Sequence, residues 1–278
     1  MKYSKNITTN DILIITDYSK ESGLGNYIRS KYIFKILKQK KKLNVNFLIY
    51  SKMQKKTKKY DILVIDLPGN KYNLDKIISK FSKKNTKVIG LDYAFKKKID
   101  CNIALFLKSN YAKKNYVDLK YCIIRKEFTK NLITKNNKLF FISIGSSDIK
   151  NISKKLKKVF SKFFKDIFMS SKINNLDYFV NQKIFIKKMT TCSLAASNGG
   201  TTLLELLYLE KIVFVYPQNN LELKFSNFLR KKGFIIFINK YSINHKIISN
   251  AKKSIQNKKL IDNLGANRII DIIMKYKK

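Results

Sequence analysis

The stretch Cys192-Ser-Leu-Ala-Ala-Ser-Asn-Gly-Gly-Thr-Thr-Leu-Leu-Glu205 reads as strand, turn and helix, in that order. Cys192 to Ala196 is a short apolar run of strand length. Asn198, Gly199 and Gly200 then turn the chain, and two successive glycines let the backbone approach closely whatever lies opposite. Thr201 to Tyr208 opens a helix. Its first N–H groups and the positive end of its dipole suit a phosphate. Glu205, further along the same helix, is placed to reach a ribose diol. The bland alternative is a tight turn that binds nothing.

The same unit recurs on both sides. Leu139 to Ile144 is a strand ending at Gly145, and Asp148 to Phe164 a helix with Ile149, Ile152, Leu156, Val159, Phe160 and Phe163 inward. Beyond it come a strand at Ile212–Tyr216, a helix at Leu223–Lys232 stopped by Gly233, and a strand at Phe234–Ile238. Ile243 to Tyr276 is mostly helical, with a break near Gly265. The first half begins alike, with a strand at Asp11–Thr16, Gly23 and Gly25, and an amphipathic helix from Asn26 to Lys40. Strands at Asn44–Tyr50, Asp61–Asp66 and Thr86–Leu91 and a helix at Leu74–Phe81 follow. Ile103–Leu107 and Tyr121–Ile124 are shorter runs that would complete the sheet. The polar stretch Thr129–Lys138 reads as a linker. Strands alternating with helices make right-handed βαβ units and parallel sheets. Two restarts predict an α/β protein of two doubly wound domains, 1–134 and 135–278, with ligands in a cleft at the carboxyl ends of the strands.

The nine glycines of this 278-residue chain are sparse, and five of them, 23, 25, 145, 199 and 200, sit just past expected strands. Gly23 and Gly25 fit a phosphate-facing loop and a plain turn equally well. The chain carries 59 Lys+Arg against 18 Asp+Glu, a net charge of +41. That invites a nucleic-acid partner, but Lys clusters occupy nearly every polar stretch and Arg stands only at 29, 125, 230 and 268. Phosphate and base forks favour Arg, so a solvated surface is the first reading, ahead of an anionic membrane surface or nucleic acid. An apolar fraction of 45% supports a core and argues against disorder. Three Cys with no CxxC pair, and one His, supply neither a disulfide framework nor a zinc site. No apolar run approaches the ~18–20 residues of a membrane span. The polar start carries no leader, which places the expected location in the cytoplasm.

Several segments, in order, resemble a known family. Asp17 followed by Gly23-Leu-Gly-Asn-Tyr-Ile-Arg29 is similar to an Asp and a Gly-x-Gly-His-x-x-Arg motif. Asp61–Asp66, Val88–Asp92, Ile124-Arg-Lys-Glu-Phe128, Phe141–Asp148, Ala196–Leu206 and Gly265-Ala-Asn-Arg268 follow in the same order. The chain resembles the UDP-sugar hydrolase of pseudaminic acid biosynthesis and the polysaccharide glycosyltransferases grouped with it. It is more distantly similar to the lipid-linked N-acetylglucosaminyl transferase of peptidoglycan synthesis. The resemblance implies a GT-B fold, with UDP held by the C-terminal domain and catalysis supplied by the N-terminal one. By position, Gly199, Gly200, Thr201, Thr202 and Glu205 would contact the nucleotide, and Gly145, Ser146 and Ser147 would lie near the phosphates. Gln218, Asn219 and Asn220 would reach the sugar, while Gly23, Gly25, Arg29 and Asp66 would line the substrate side. No metal or other cofactor is implied, because helix N-termini offset the diphosphate charge.

The chain departs from the family at Asn26, where a His is expected to activate water. An amide has no basic nitrogen and cannot be a general base. Asp17 is the candidate replacement, with Asp66 and Asp92 as others, and each has a plain structural alternative. Arg29 would fork a phosphate or carboxylate, or pair with an Asp such as Asp17. Ser146 replaces a second Gly, and Leu67-Pro68-Gly69 replaces a more polar segment. The expected function is a UDP-sugar-dependent transferase or hydrolase of surface polysaccharide synthesis. It would act on a sugar or lipid-linked acceptor, with weak contact to the inner membrane face and no nucleic acid. The alternative is a catalytically silent UDP-sugar binder. His245 and Cys192 read as packing residues.

Overall fold

The computed structural model describes residues 10–18, 24–40, 43–53, 58–67, 72–93, 95–128, 136–145, 148, 151–170, 182–238, 243–254 and 260–277. The chain divides into two compact units, Met1–Ile123 with Leu264–Lys278, and Ile124–Asn263.

In the first unit β1 (Asn10–Thr16) leads to α1 (Gly25–Gln39), β2 (Leu43–Ile49), β3 (Tyr60–Asp66), α2 (Leu74–Phe81), β4 (Ser82–Leu91), β5 (Ile99–Ala104) and β6 (Ala112–Val117). The sheet order is β2-β1-β3-β4-β5-β6 and each recorded pairing is parallel. Strands covered on both faces need apolar residues at every position. Ile12, Leu13, Ile14 and Ile15 of β1, and Ile62 to Ile65 of β3, are accordingly all buried. α1 turns Ser30, Ile33 and Leu37 inward at helical spacing. The Asn73 side chain caps α2 by accepting from Lys76 N–H at 3.0 Å.

The second unit runs β7 (Asn136–Ser143), α3 (Ile152–Phe160), β8 (Asp166–Met169), α4 (Gln182–Thr191), β9 (Cys192–Ser197), α5 (Thr201–Tyr208), β10 (Ile212–Val215), α6 (Asn220–Lys231), β11 (Ile236–Phe237) and α7 (His245–Ser254). Its order is β11-β10-β9-β7-β8, again with parallel pairings. Aromatic side chains build one face of the core. Phe140 stacks on Phe160 and Phe164 at centroid distances of 4.0 and 4.7 Å. Gly233, with φ +75°, ends α6 in a conformation that favours glycine.

The chain then returns to the first unit as α8 (Gly265–Met274). Ile269, Ile270, Ile272 and Ile273 join the cluster that contains Ile12 and Ile14 of β1. Each such buried side chain contributes about 1.5–3 kcal/mol. Gly265 lets the helix start against the Tyr121–Cys122 backbone, since a Cβ there would lie 1.8 Å from the Cys122 carbonyl oxygen. The expected boundary, 1–134 against 135–278, therefore misassigns the last helix, whose apolar face fits the first core. Tyr121–Ile124 is not a strand either. A short helical turn at Leu119–Tyr121 occupies its start, and the place in the sheet is taken by β6. β6 is an edge strand with Lys113 and Lys114 exposed, so it shows no apolar run. The helix expected from Asp148 is shorter, beginning at Ile152 after Asn151 at φ +50°. The linker expected at Thr129–Lys138 lies outside the described residues up to 135, and β7 begins at Asn136.

Each sheet has one place where strand order reverses: between β1 and β3, and between β7 and β9. In open parallel sheets the carboxyl ends of the strands beside such a reversal are where ligands bind.

Candidate functional site

In the second unit the reversal is flanked by Ile144-Gly145 after β7 and by Asn198-Gly199-Gly200 after β9. The helix mouths there differ. α3 is closed by the Asp148 carboxylate, which accepts from Ile152 N–H at 2.7 Å and Ser153 N–H at 3.0 Å. α6 is capped by Asn219, which accepts from Glu222 N–H at 2.9 Å. α5 has Gly200 at its N-cap and no side-chain cap. Leu203 N–H is taken by the Gly200 carbonyl at 3.2 Å, so among the described residues the Thr201 and Thr202 N–H groups are left for an outside acceptor. Thr201 is exposed and Thr202 half-buried, so two hydroxyls stand beside those amides.

A second carboxylate shapes the loop before α5. Glu222 Oε1 accepts from Asn198 Nδ2 at 2.9 Å, and Oε2 accepts from Gln218 N–H at 2.7 Å and Gly199 N–H at 3.4 Å. Gly199 is required by this approach, because a Cβ would lie 2.7 Å from Glu222 Cβ and 2.9 Å from its Cα. Burial pushes the Glu222 carboxyl above its ordinary range, against the amide hydrogen bonds that hold it down. Gln218 also donates from Nε2 to the Ile144 carbonyl at 2.9 Å, tying this loop to the end of β7. Gly145, at φ +73°, faces the Asn198 amide. Gly145, Asn198, Gly199, Gln218 and Glu222 thus form one rim. Asn219 is its cap and Asn220 is exposed at the start of α6. Ser146 and Ser147 lie outside the described residues. Glu222 is missing from the sequence reading. The spacing Asn219-x-x-Glu222 is that of a capping box, which marks a structural Glu but not its reach to Gly199.

Glu205 is buried beneath the helix mouth, where Arg125 clamps it from Nε to Oε1 at 2.5 Å and from Nη2 to Oε2 at 2.8 Å. Arg125 also lies over the Phe128 ring at 4.9 Å. A diol at Glu205 would share oxygens already held by this guanidinium.

In the first unit the carboxyl ends of β1, β3 and β4 carry Asp17, Asp66 and Asp92. Asp66 is fully buried. It accepts from Asn26 Nδ2 at 2.8 Å, Arg29 Nε at 2.8 Å and Ser30 Oγ at 2.6 Å, and also from Arg29 Nη2. Arg29 Nη1 pairs with Asp92, which sits at φ +47° and accepts from Leu105 N–H at 3.1 Å. Burial alone would lower the Arg29 pKa, but Asp66 and Asp92 reverse the sign and raise it. Of the two readings open for Arg29, carboxylate pairing is the one observed, with Asp66 and Asp92 as partners and not Asp17. Asp66, with four donors on two oxygens, is a structural anchor. Asp17 is separate. It is buried and accepts from Ser51 Oγ at 2.7 Å, Tyr18 N–H at 2.9 Å and Tyr72 OH at 3.2 Å. Burial, and then Asp17, push the Tyr72 hydroxyl up to about 12. Gly25 opens α1, whose N-cap Leu24 offers no side-chain cap. Gly23, Pro68 and Gly69 lie outside the described residues.

Among the described residues no group of three or more His, Cys, Asp or Glu side chains converges on a metal position, and no helix is long and apolar enough to cross a membrane. His245 is exposed, its ring edge-on to Phe163 at 4.8 Å. Cys192 is core, its thiol pushed up to about 12 by burial.

No protein-family model matches the sequence, and no curated protein matches it significantly. Solved structures do match by shape. MurG of Acinetobacter baumannii superposes with a TM-score of 0.59 at 11% identity, over 96% of this chain and 99% of that one. The glycotransferase of kitacinnamycin superposes with a TM-score of 0.51 at 8% identity, over 97% and 95%. At such identities the likeness shows the fold, two parallel α/β units of the GT-B class.

Proposed function

We infer that the chain binds a UDP-sugar through the second unit, with the diphosphate on the first-turn amides of α5. The uncapped Gly200-Thr201-Thr202 mouth carries this reading, because α3 and α6 in the same unit are closed by their own side chains. Gly145 and Gly199 allow close approach. Gln218 and the exposed Asn220 stand on the sugar side, with Asn219 positioning them as cap of α6. The Arg125–Glu205 pair underpins the helix and leaves the Glu205 oxygens a second lone pair for the ribose. The helix dipole and N–H groups offset the diphosphate charge, and no metal is required. Isothermal titration with UDP tests this directly. Binding in the micromolar to millimolar range supports it, and absence of heat at millimolar UDP overturns it.

The reaction we propose is transfer of the sugar to a hydroxyl of a saccharide or lipid-linked acceptor, in the cytoplasm or at its membrane face. Asp17 is the base, because Asp66 is held by four donors while, among the described residues, Asp17 accepts from hydroxyls and its neighbouring amide. Asn26, oriented by Asp66, positions the acceptor. The Lys-rich surface favours an anionic membrane over nucleic acid, for which it has too few arginines. A second reading, a UDP-sugar binder without turnover, rests on Asn26. Release of UDP from UDP-sugars above an Asp17→Asn control excludes it.

A further inference from the structure

The Glu222 carboxylate, like those of Asp17 and Asp148, is held by neutral donors, and it alone of the three stands on the loop before α5. The chain has 59 basic residues against 18 acidic ones, yet among the described residues the donors that reach Glu222 are neutral amides, those of Asn198, Gly199, Gln218 and Asn219. Glu205 on α5, by contrast, is neutralised by Arg125. The position of Glu222 is set by backbone, since Gly199 packs against its Cα and Cβ and α6 is anchored by buried Phe225 and Leu229. A negative charge with no cationic partner among the described residues is therefore built into the rim beside Gly199, the residue before the N-cap of α5.

The consequence depends on the diphosphate reading above. Phosphate oxygens on the amides of Gly200 to Thr202 would lie within a few ångströms of the Gly199 N–H that Glu222 already holds, since successive Cα atoms are about 3.8 Å apart. The helix end supplies only about half a positive charge. That partial charge is shared between the ligand and Glu222, so none remains for a further anion. Like charges at such range repel strongly in a partly buried site. A carboxylate has about four lone-pair positions, and the amides of Asn198, Gly199, Gln218 and Asn219 reach those of Glu222, so it acts on a ligand through its charge.

We propose that Glu222 is a charge filter on the glycosyl group: the site admits neutral or amino sugars on the nucleoside diphosphate and rejects sugars that carry a carboxylate.

UDP-glucose and UDP-glucuronic acid differ only in the carboxylate at C6, so they form the test pair. Titrating each, and UDP alone, into the full chain and into Glu222→Gln reads the filter. We expect wild type to bind UDP-glucuronic acid at least about tenfold more weakly than UDP-glucose. In Glu222→Gln the gap should shrink below about threefold, with UDP itself bound more tightly. Equal wild-type affinities for the two sugars, with UDP bound, would overturn the filter and leave the nucleotide reading standing. No UDP binding by wild type would overturn both. Should Glu222→Gln fail to fold, Glu222→Asp and the wild-type ratio still decide: a ratio near one rejects the proposal.

Discussion

Arg125 and Glu205, 80 residues apart in sequence, meet in a forked ion pair, with Nε on Oε1 at 2.5 Å and Nη2 on Oε2 at 2.8 Å. Both side chains are largely out of solvent, with exposures of 12% and 6%. The pair fastens α5 to the segment that enters the second unit. Removing one partner strands a buried charge, which costs about 3–5 kcal/mol. Arg125→Ala is expected to lower the urea midpoint of unfolding sharply. Arg125→Lys should recover only part of the loss, because an ammonium cannot fork. A double variant, Arg125→Met with Glu205→Leu, should be milder than either single alanine change. Equal midpoints for wild type and Arg125→Ala would refute the account.

Gly199 and Gly200 are adjacent but not equivalent. A methyl at 199 meets the backbone of Glu222 at 2.9 Å, whereas at 200 its nearest neighbour is the Asn198 side-chain amide at 3.3 Å. Backbone cannot step aside and an amide can. Gly199→Ala is expected to destabilise by about 1–3 kcal/mol and to weaken UDP binding. Gly200→Ala should leave stability close to wild type. Thermal unfolding of the two proteins side by side checks the asymmetry, and the reverse order would contradict it.

Glu222 gives a pH signature with a definite sign. Its folded-state pKa is raised by burial above the unfolded value of about 4.3. The stabilising contribution of the protonated form is complete below the unfolded value and is lost as pH rises through the folded one. Relative to Glu222→Gln, wild type should therefore lose stability as pH rises from the unfolded value of about 4.3 through the raised folded-state one. Urea midpoints measured for both proteins across that window test this. Parallel curves would show that the carboxylate titrates normally.

Asp17 and Asp66 occupy equivalent strand ends but differ in chemistry. Asp66 holds Asn26, Arg29 and Ser30 together, so Asp66→Asn should chiefly lower stability. Asp17→Asn, if Asp17 is the base, should reduce turnover about 10²–10⁴-fold while leaving UDP affinity unchanged. Turnover assays paired with titration calorimetry separate the two. An Asp17→Asn protein with full turnover would remove it from the mechanism.

The central strands were legible from sequence because burial on both faces imposes unbroken apolar runs, as in Ile12–Ile15 and Leu139–Ile142. The turn at Asn198-Gly199-Gly200 and the stop at Gly233 were legible because glycine reports a backbone requirement. Peripheral elements were not. β6 is polar at an edge, β8 spans only Asp166–Met169, and α4 carries Lys183, Lys187 and Lys188 among its apolar positions. The partners of charges were equally hidden. Arg29 finds Asp66 and Asp92, Arg125 finds Glu205, and Glu222 among the described residues finds amides, because pairing is decided by tertiary proximity and leaves no spacing pattern.

The return of Gly265–Met274 to the first core makes residues 124–263 an insertion within the other unit. On a ribosome, then, the host's strands β1 to β6 are all made before the inserted unit, but the host's helix α8 follows only after that unit is complete. The earliest-made sheet has Ile33 and Leu37 of α1 to lay beside Ile12 and Ile14 at once, but that face is complete only when the four isoleucines of α8 emerge to join them.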